Sequence, residues 1–316
     1  MKFSIIVPVH NAEKTILRCV NSLASQSGCD KEILLIENGS SDSSYEICRK
    51  LTEHQDQIRL FRTKKSGVSS ARNIGLDHIS GDIICFCDAD DYYEQDVLAE
   101  IEEQFKRTDA AIIVTGYRTV SNSTEYKSRV KECDSILSAS EFQCRVLNDV
   151  CVFGSVWNKF YRADDFKGVR FNEGIELCED TYFNFCCTVS HPECKILYKA
   201  MITYNYVNNE QGLTNQRLDA LFIDSKRLKY IDVCYRVLHD FDVSGDVEEN
   251  VRYAIFGHAI NFLHGNDLDQ DKKNTLCKEV RGNFRSFLKL MWEYNPRYNV
   301  RRFVWLMEAL PDIIRI

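Results

Sequence analysis

The stretch Asp82-Ile83-Ile84-Cys85-Phe86-Cys87-Asp88-Ala89-Asp90-Asp91, entered through Ser80-Gly81, is the tightest constraint in the chain. A short β-branched and aromatic run breaks into three carboxylates within four residues. Apolar runs of that length between turn residues read as buried strands, so the acids fall at the strand's exposed C-terminal end. In an open α/β sheet that edge is where ligands bind. Three crowded carboxylates repel one another unless a cation joins them. An all-oxygen set suits Mg²⁺ or Mn²⁺, which keep positions open for substrate phosphates. The plainer reading is a carboxylate cap on the next helix, expected over Glu94 to Lys106.

The residues on either side repeat the pattern. Phe3 to Val9 reads as a buried strand ending at Pro8-Val9-His10-Asn11, with Asn11 placed to cap a helix that runs to about Ser25. Ile16, Val20 and Leu23 recur there at helical spacing and read as core. Glu32 to Ile36 is a second strand, broken by the polar turn Glu37 to Asp42 ahead of a helix from Ser43 to about Glu53. Ile58 to Phe61 is a third strand, and Ser66 to Gly75 a glycine-bounded loop opening a helix. Strands alternating with helices argue for βαβ units and a largely parallel sheet. The loops Pro8 to Glu13, Glu37 to Asp42 and Asp88 to Asp91 then converge on one rim, as a nucleotide site requires. No GxGxxG or Walker lysine motif is present, which argues against an ordinary dehydrogenase or ATPase.

Beyond the Glu94 helix, Ala110 to Tyr117 reads as a strand and Arg118 to Cys133 as a hairpin or mobile loop. Trp157-Asn158-Lys159 follows, then Glu179-Asp180 opening an apolar helix from Tyr182 to Val189. An acidic pair at a helix start can be simple dipole complementation. Ile196 to Leu197 and Met201 to Val207 read as two short strands, the second ending near Asn208 to Gly212. From about Arg217 the texture becomes helical, with helices expected over Leu218 to Leu238, Val247 to Leu263, Asp271 to Leu290 and Val300 to Leu310. A boundary near 215 therefore divides an α/β domain, 1–215, from a helical subdomain, 216–316.

A net charge of −7 gives no basic footprint for nucleic acid, so none is expected as a main partner. The 14 cysteines lack paired CxxC spacing and fall largely in apolar runs such as Cys85, Cys87, Cys186 and Cys187. They read as buried hydrophobes of a reducing compartment. Nothing at the N-terminus reads as a signal peptide, and no run approaches a membrane span, so a cytoplasmic protein is expected.

In this order the residues resemble the family-2 type of inverting glycosyltransferases with the GT-A fold, which build bacterial polysaccharides. Ser4 to Glu13 looks like that family's opening strand and loop, Ile36 to Asp42 like its second acidic turn, and Gly67 to Gly75 like its GxSxARNxG loop. Asp88-Ala89-Asp90 looks like its DxD motif, and Trp157-Asn158-Lys159 and Glu179-Asp180 like its acceptor-side elements. The resemblance covers roughly the first 215 residues. It implies an α/β fold of GT-A type, Rossmann-like with a mostly parallel central sheet, followed by a C-terminal helical subdomain. It implies that Pro8, Val9, Glu13, Glu37 and Asn38 hold the base of a nucleotide, while Arg72 and Asn73 line its pocket. Asp90 would bind Mn²⁺ or Mg²⁺ on the diphosphate, with Asp88 and Ala89 near the ribose or donor sugar. Asp180 matches the general base, and Glu179 and Trp157 stand on the acceptor side; for Trp157 a plain core role is equally open. The chemistry agrees. Direct displacement at an anomeric carbon needs one carboxylate to take the acceptor's proton, and a metal on the departing diphosphate removes the need for a second acid.

The second acidic turn usually carries two aspartates, and here it carries Glu37-Asn38. The Asn38 carbonyl still accepts the N3–H of uracil, so a UDP-sugar is the favoured donor; thymidine, which has the same edge, stays open, and so does guanosine, since the Asn38 amide can also donate. The expected acceptor is a glycan or lipid-linked glycan in surface polysaccharide synthesis. Between Lys272 and Arg302 nine Lys or Arg stand against two acids, and Val300, Phe303, Val304, Met307 and Leu310 share one helical face beside Trp305. This is either a solvated face over a packed helix or a peripheral contact with the inner face of an anionic membrane. Two rival functions remain. A sugar nucleotidyltransferase would carry a Gly-rich basic loop after the first strand, which Pro8 to Glu13 lacks. A catalytically degenerate sugar-nucleotide binder or scaffold would have no need to keep Asp88, Asp90 and Asp180 together.

Overall fold

Four parallel strands organise the N-terminal half of the computed structural model, which describes residues 1–316 apart from 54, 66, 122–124, 209–219, 266–267, 269, 294–295 and 316. These are β1 (Lys2–Val9), β2 (Asp30–Glu37), β3 (Ile58–Arg62) and β4 (Ile83–Phe86), joined by α1 (Ile16–Ala24), α2 (Ser44–Thr52) and α3 (Val68–Asp77). They pair in the order β3-β2-β1-β4. Strands covered by helices on both faces read as unbroken apolar runs, and β4 is buried at every position. α1 turns Ile16, Cys19, Val20 and Leu23 onto that core.

The sheet then becomes mixed. It continues through β5 (Tyr92–Tyr93), α4 (Val97–Arg107), β6 (Ala110–Ser121), β7 (Glu125–Arg129), β8 (Ser135–Ser138), α5 (Ala139–Asn148), β9 (Lys159–Arg162), α6 (Glu179–Ser190) and β10 (Lys195–Val207). β9 lies antiparallel between β4 and β6, β6 runs parallel to β10, and β10 is antiparallel to β5. The α/β architecture with a C-terminal helical region is the one expected from the sequence.

Several local expectations need correction. Asn11 does not cap α1; its backbone is left-handed at φ 49°, and its Oδ1 accepts the Ser41 N–H at 2.8 Å, so it ties two loops together. The acids at 88–91 do not cap α4, because β5 intervenes and Asp96 holds the cap position. The two short strands expected after 195 are one strand, β10, with register shifts where the expected break fell. The segment from Arg118 forms a hairpin, β6 with β7, whose connection at 122–124 lies outside the described residues. β9 was not anticipated. The expected strand end at Asn209 to Gly212, the boundary near 215, the helix start at Leu218, the side chain of Leu310 and Ser66 of the glycine loop also lie outside the described residues.

The chain divides into two compact units, Met1–Phe142 with Val150–Asn215, and Gln143–Asp149 with Gln216–Ile316. The second holds α7 (Ala220–Asp240), α8 (Gly245–Gly265), α9 (Gln270–Leu290) and α10 (Pro296–Arg315), close to the four helices expected. Its core includes Phe256 stacked on Phe287 at 4.2 Å between ring centroids. Among the described residues no helix is long and apolar enough to cross a membrane.

Two glycines of the expected loop have separate physical reasons. Gly67 takes φ 110°, which L side chains rarely adopt. Gly75 lies where α3 crosses β1, and a Cβ there would sit 2.4 Å from Ile6 Cγ2. Gly75→Ala is therefore expected to lower the melting temperature through overpacking of about 1–3 kcal/mol. The double substitution with Ile6→Ala should cost less than the sum of the two singles, which a thermal-melt cycle would read directly.

Candidate active site

The C-terminal ends of β1, β2 and β4 form one rim, as the strand order requires. After β4 the chain makes a tight turn in which the Asp91 N–H donates to the Asp88 carbonyl at 3.0 Å. The three acids then separate into different roles. Asp91 is buried; its Oδ1 accepts the Val207 N–H and its Oδ2 the Tyr204 hydroxyl, both at 2.7 Å. Tyr204 in turn accepts the Asp88 N–H at 3.1 Å. Asp91 is thus a strut of the loop, with both oxygens committed. Asp90 is different. Burial, and next the Asp88 carboxylate, push its pKa up to about 6, while the Arg18 guanidinium bonds only its backbone carbonyl, at 2.5 Å.

Asp88 and Asp90 therefore present two mutually repelling carboxylates, of which Asp88 is met by Arg72 at 3.2 Å, and such a pair fits a divalent ion. Among the described residues no group of three or more His, Cys, Asp or Glu could hold an ion alone. The pair suits Mg²⁺ or Mn²⁺ completed by phosphate oxygens and water, since such ions commonly take only one or two carboxylates from the protein. Ala89, between them, is buried.

Arg72 occupies the centre. Its side chain is 3% exposed. Nη1 donates to Glu179 Oε1 at 2.8 Å and to Asp180 Oδ1 at 2.7 Å, and Nη2 to Asp88 Oδ1 at 3.2 Å. The guanidinium also lies over the Phe171 ring, 5.3 Å from its centroid. Burial disfavours its charge, but the Asp180, Asp88 and Glu179 carboxylates outweigh that and hold its pKa above the ordinary value. The sequence placed Arg72 along a nucleotide pocket; in the fold it joins the aspartate loop to the start of α6. Asn73, next to it, donates to the Phe171 carbonyl at 3.0 Å and accepts the Phe171 N–H at 2.8 Å, and so tethers that segment.

Asp180 is the second residue of α6, and its Oδ2 accepts the Val156 N–H at 3.2 Å. Burial raises its pKa, against the pull of Arg72 and with the push of Glu179 and Asp88, to about 7. One guanidinium shared by three carboxylates leaves a carboxylate able to accept a proton near neutrality.

On the opposite side of the rim, Glu37 is fully buried and spent internally; Oε1 accepts the Ser40 N–H at 2.5 Å and Oε2 the Arg62 Nε–H at 2.9 Å. Glu13 likewise accepts the Ser43 N–H at 3.1 Å. Asn38 is oriented by its own amide, which donates to the Gly67 carbonyl at 2.9 Å, while its buried Oδ1 has no partner. Its N–H donates to the Val9 carbonyl at 2.9 Å, which holds it beside Pro8 and Val9.

Residues 4–172, more than half of the chain, match the family described as Glycosyl transferase family 2. The chain belongs to glycosyl transferase family 2. This family 2 glycosyltransferase is 31% identical to the glycosyltransferase GlyA of Streptococcus pneumoniae over 193 residues, 58% of this chain and 27% of that protein. It is 28% identical to the uncharacterized glycosyltransferase EpsJ of Bacillus subtilis over 268 residues, 83% of this chain and 77% of EpsJ. The chain thus spans about a quarter of GlyA and three quarters of EpsJ. TarS of Staphylococcus aureus, a poly(ribitol-phosphate) beta-N-acetylglucosaminyltransferase, is 25% identical over 217 residues, 67% of this chain and 36% of TarS. The crystal structure of TarS 1–349 in complex with UDP-GlcNAc has the same fold, with a TM-score of 0.69 at 18% identity over 90% of this chain and 81% of that one.

Several further residues support this glycosyltransferase's site; in sequence Trp157 and Lys159 read only as part of an acceptor-side element, and Asn184 gave no functional signal. Trp157 is 7% exposed and stacks on Tyr204 at 4.5 Å and 14°, with Tyr206 and Tyr117 beside it. It braces Tyr204 and hence the aspartate loop. Lys159 is fully buried, and its Nζ reaches the carbonyls of Val152, Phe153 and Ser155 at 2.8, 2.7 and 2.5 Å and Asn158 Oδ1 at 2.9 Å. Asn184 Nδ2 donates to the Gly154 and Asp180 carbonyls, both at 2.8 Å. Together they hold the loop whose Val156 N–H meets Asp180. A lysine bracketed by Trp157 and Phe160-Tyr161 is the sequence signal that could have marked the cage. Lys159→Met should leave these acceptors unsatisfied and cost about 3 kcal/mol or more, read as a lower urea midpoint with unchanged far-UV circular dichroism.

Proposed function

We propose that this chain is a metal-dependent inverting transferase that moves a sugar from a nucleotide-sugar, a UDP-sugar, to a hydroxyl of a glycan or lipid-linked glycan in surface polysaccharide synthesis. The observation that carries the reading is the buried cluster in which Arg72 holds Asp88 of the aspartate loop and Asp180 of α6 together. Family membership and the UDP-GlcNAc bound to TarS support the donor class. So does the amide of Asn38, whose buried carbonyl oxygen, once uncovered, matches the N3–H of uracil.

Asp88 and Asp90 would hold the divalent ion, which when bound supplies the charge that stabilises a departing diphosphate. Arg72 keeps Asp88 in place and, by its own positive charge, keeps a proton acceptor available at Asp180. Asp180 takes the proton of the acceptor hydroxyl as that oxygen bonds to the anomeric carbon. The bond from that carbon to the diphosphate oxygen breaks, its electron pair leaving with the nucleoside diphosphate. A single displacement of this kind inverts the anomeric centre. The Val156 N–H fixes the second Asp180 oxygen, so one oxygen faces Arg72 and the other the Val156 loop.

The pH dependence follows from the raised pKa of Asp180. The base works ionised, so kcat/KM should fall as the pH drops below about 7. Asp180→Asn should lower UDP release from UDP-sugars, with acceptor glycan present, by about 10²–10⁴-fold and abolish that acid limb. Undiminished turnover in Asp180→Asn would remove Asp180 as the base.

A further inference from the structure

Among the described residues, α10 is seated within the helical unit along one side. Leu306 and Ile313 are buried, Asn299 accepts the Tyr253 hydroxyl at 2.9 Å, and Arg302 reaches Asn299 Oδ1 at 3.1 Å. A surface helix ordinarily turns polar residues to the other side. Here Val300, Phe303, Val304 and Met307, spaced i, i+3, i+4, i+7, form an exposed apolar stripe, with Val304 and Met307 about half exposed at 50% and 53%. Leu288 on α9 is exposed as well, and Trp292 in the turn after α9 is 68% exposed. Of the twelve large apolar side chains exposed among the described residues, six lie within residues 288–307. The charge along this stretch is mainly basic, with Glu279, Glu293 and Glu308 the acids among it and Lys289 Nζ 3.4 Å from Asp246 Oδ1. Lys278, Arg285, Lys289 and Arg301 are exposed, in a window with nine Lys or Arg against two Glu on a chain whose net charge is −7.

We propose that this face docks on an anionic lipid surface, with the apolar stripe and Trp292 entering the headgroup boundary and the basic side chains meeting lipid phosphates. An apolar stripe flanked by cations and an indole is what an interfacial helix presents to such a membrane. A second copy of the chain fits less well, since a two-fold contact would bring the same cations against themselves. The inference is independent of sugar transfer, because its test reads binding alone.

The test is co-sedimentation of the full chain with phosphatidylcholine vesicles, with and without phosphatidylglycerol, alongside light scattering. The chain should sediment with the anionic vesicles only and be released at 1 M salt, where the screening length falls to about 3 Å. Val304→Asp with Met307→Asp should abolish sedimentation, and Arg285→Gln with Arg301→Gln should weaken it by roughly tenfold or more. Unchanged helical circular dichroism in each variant verifies the fold. Absence of sedimentation, equal sedimentation with pure phosphatidylcholine, or a parent oligomer that the aspartates dissociate without changing vesicle binding would each overturn the proposal.

Discussion

One buried guanidinium balances three carboxylates that come from two distant parts of the chain. Arg72 meets Asp88 sixteen residues away and Glu179 and Asp180 more than a hundred residues away. Each of these charges would be costly to bury alone, and removing the arginine would leave the carboxylates facing one another out of water. The aspartate loop, α3 and the start of α6 are therefore positioned together. The close passage of α3 over β1, which only Gly75 permits, brings Arg72 to that centre.

Around this cluster the acids are sorted by their surroundings. Asp91 is consumed by Tyr204 and Val207 and Glu37 by Arg62 and Ser40, while the exposed Glu13 accepts the Ser43 N–H with one oxygen. Burial holds Asp90, Asp91 and Asp180 all above the ordinary carboxylate range. Carboxylates held high in this way are where a cation or a proton can be accepted; Asp180 bonds Arg72 directly, and Asp90 stands two residues beyond Asp88, the carboxylate at the other end of the Arg72 network. Trp157 and Lys159 contribute from behind, one bracing Tyr204 and the other caging the loop that contacts Asp180.

Much of this was legible in sequence, for local reasons. β1, β2 and β4 are apolar runs ended by polar turns, and α1 shows its buried face by spacing. The rim loops follow from the strand order. What was hidden depends on distant partners. β9 is four residues long and pairs with β4 and β6, so no local period marks it. Asp91 reads like its neighbours until Tyr204, 113 residues on, takes its oxygen. Asn11 has the composition of a helix cap, yet its Oδ1 is claimed by Ser41 across the rim.

The most direct test of the central claim is thermal melting with UDP, with and without Mn²⁺, for the parent and Asp90→Ala. The account predicts a rise in melting temperature with UDP that requires Mn²⁺ and is lost in Asp90→Ala. At a hundred times the dissociation constant it corresponds to about 2.7 kcal/mol. A rise of equal size without the metal, or one that survives Asp90→Ala, would contradict the assignment of the aspartate loop. No rise at all would contradict the site itself.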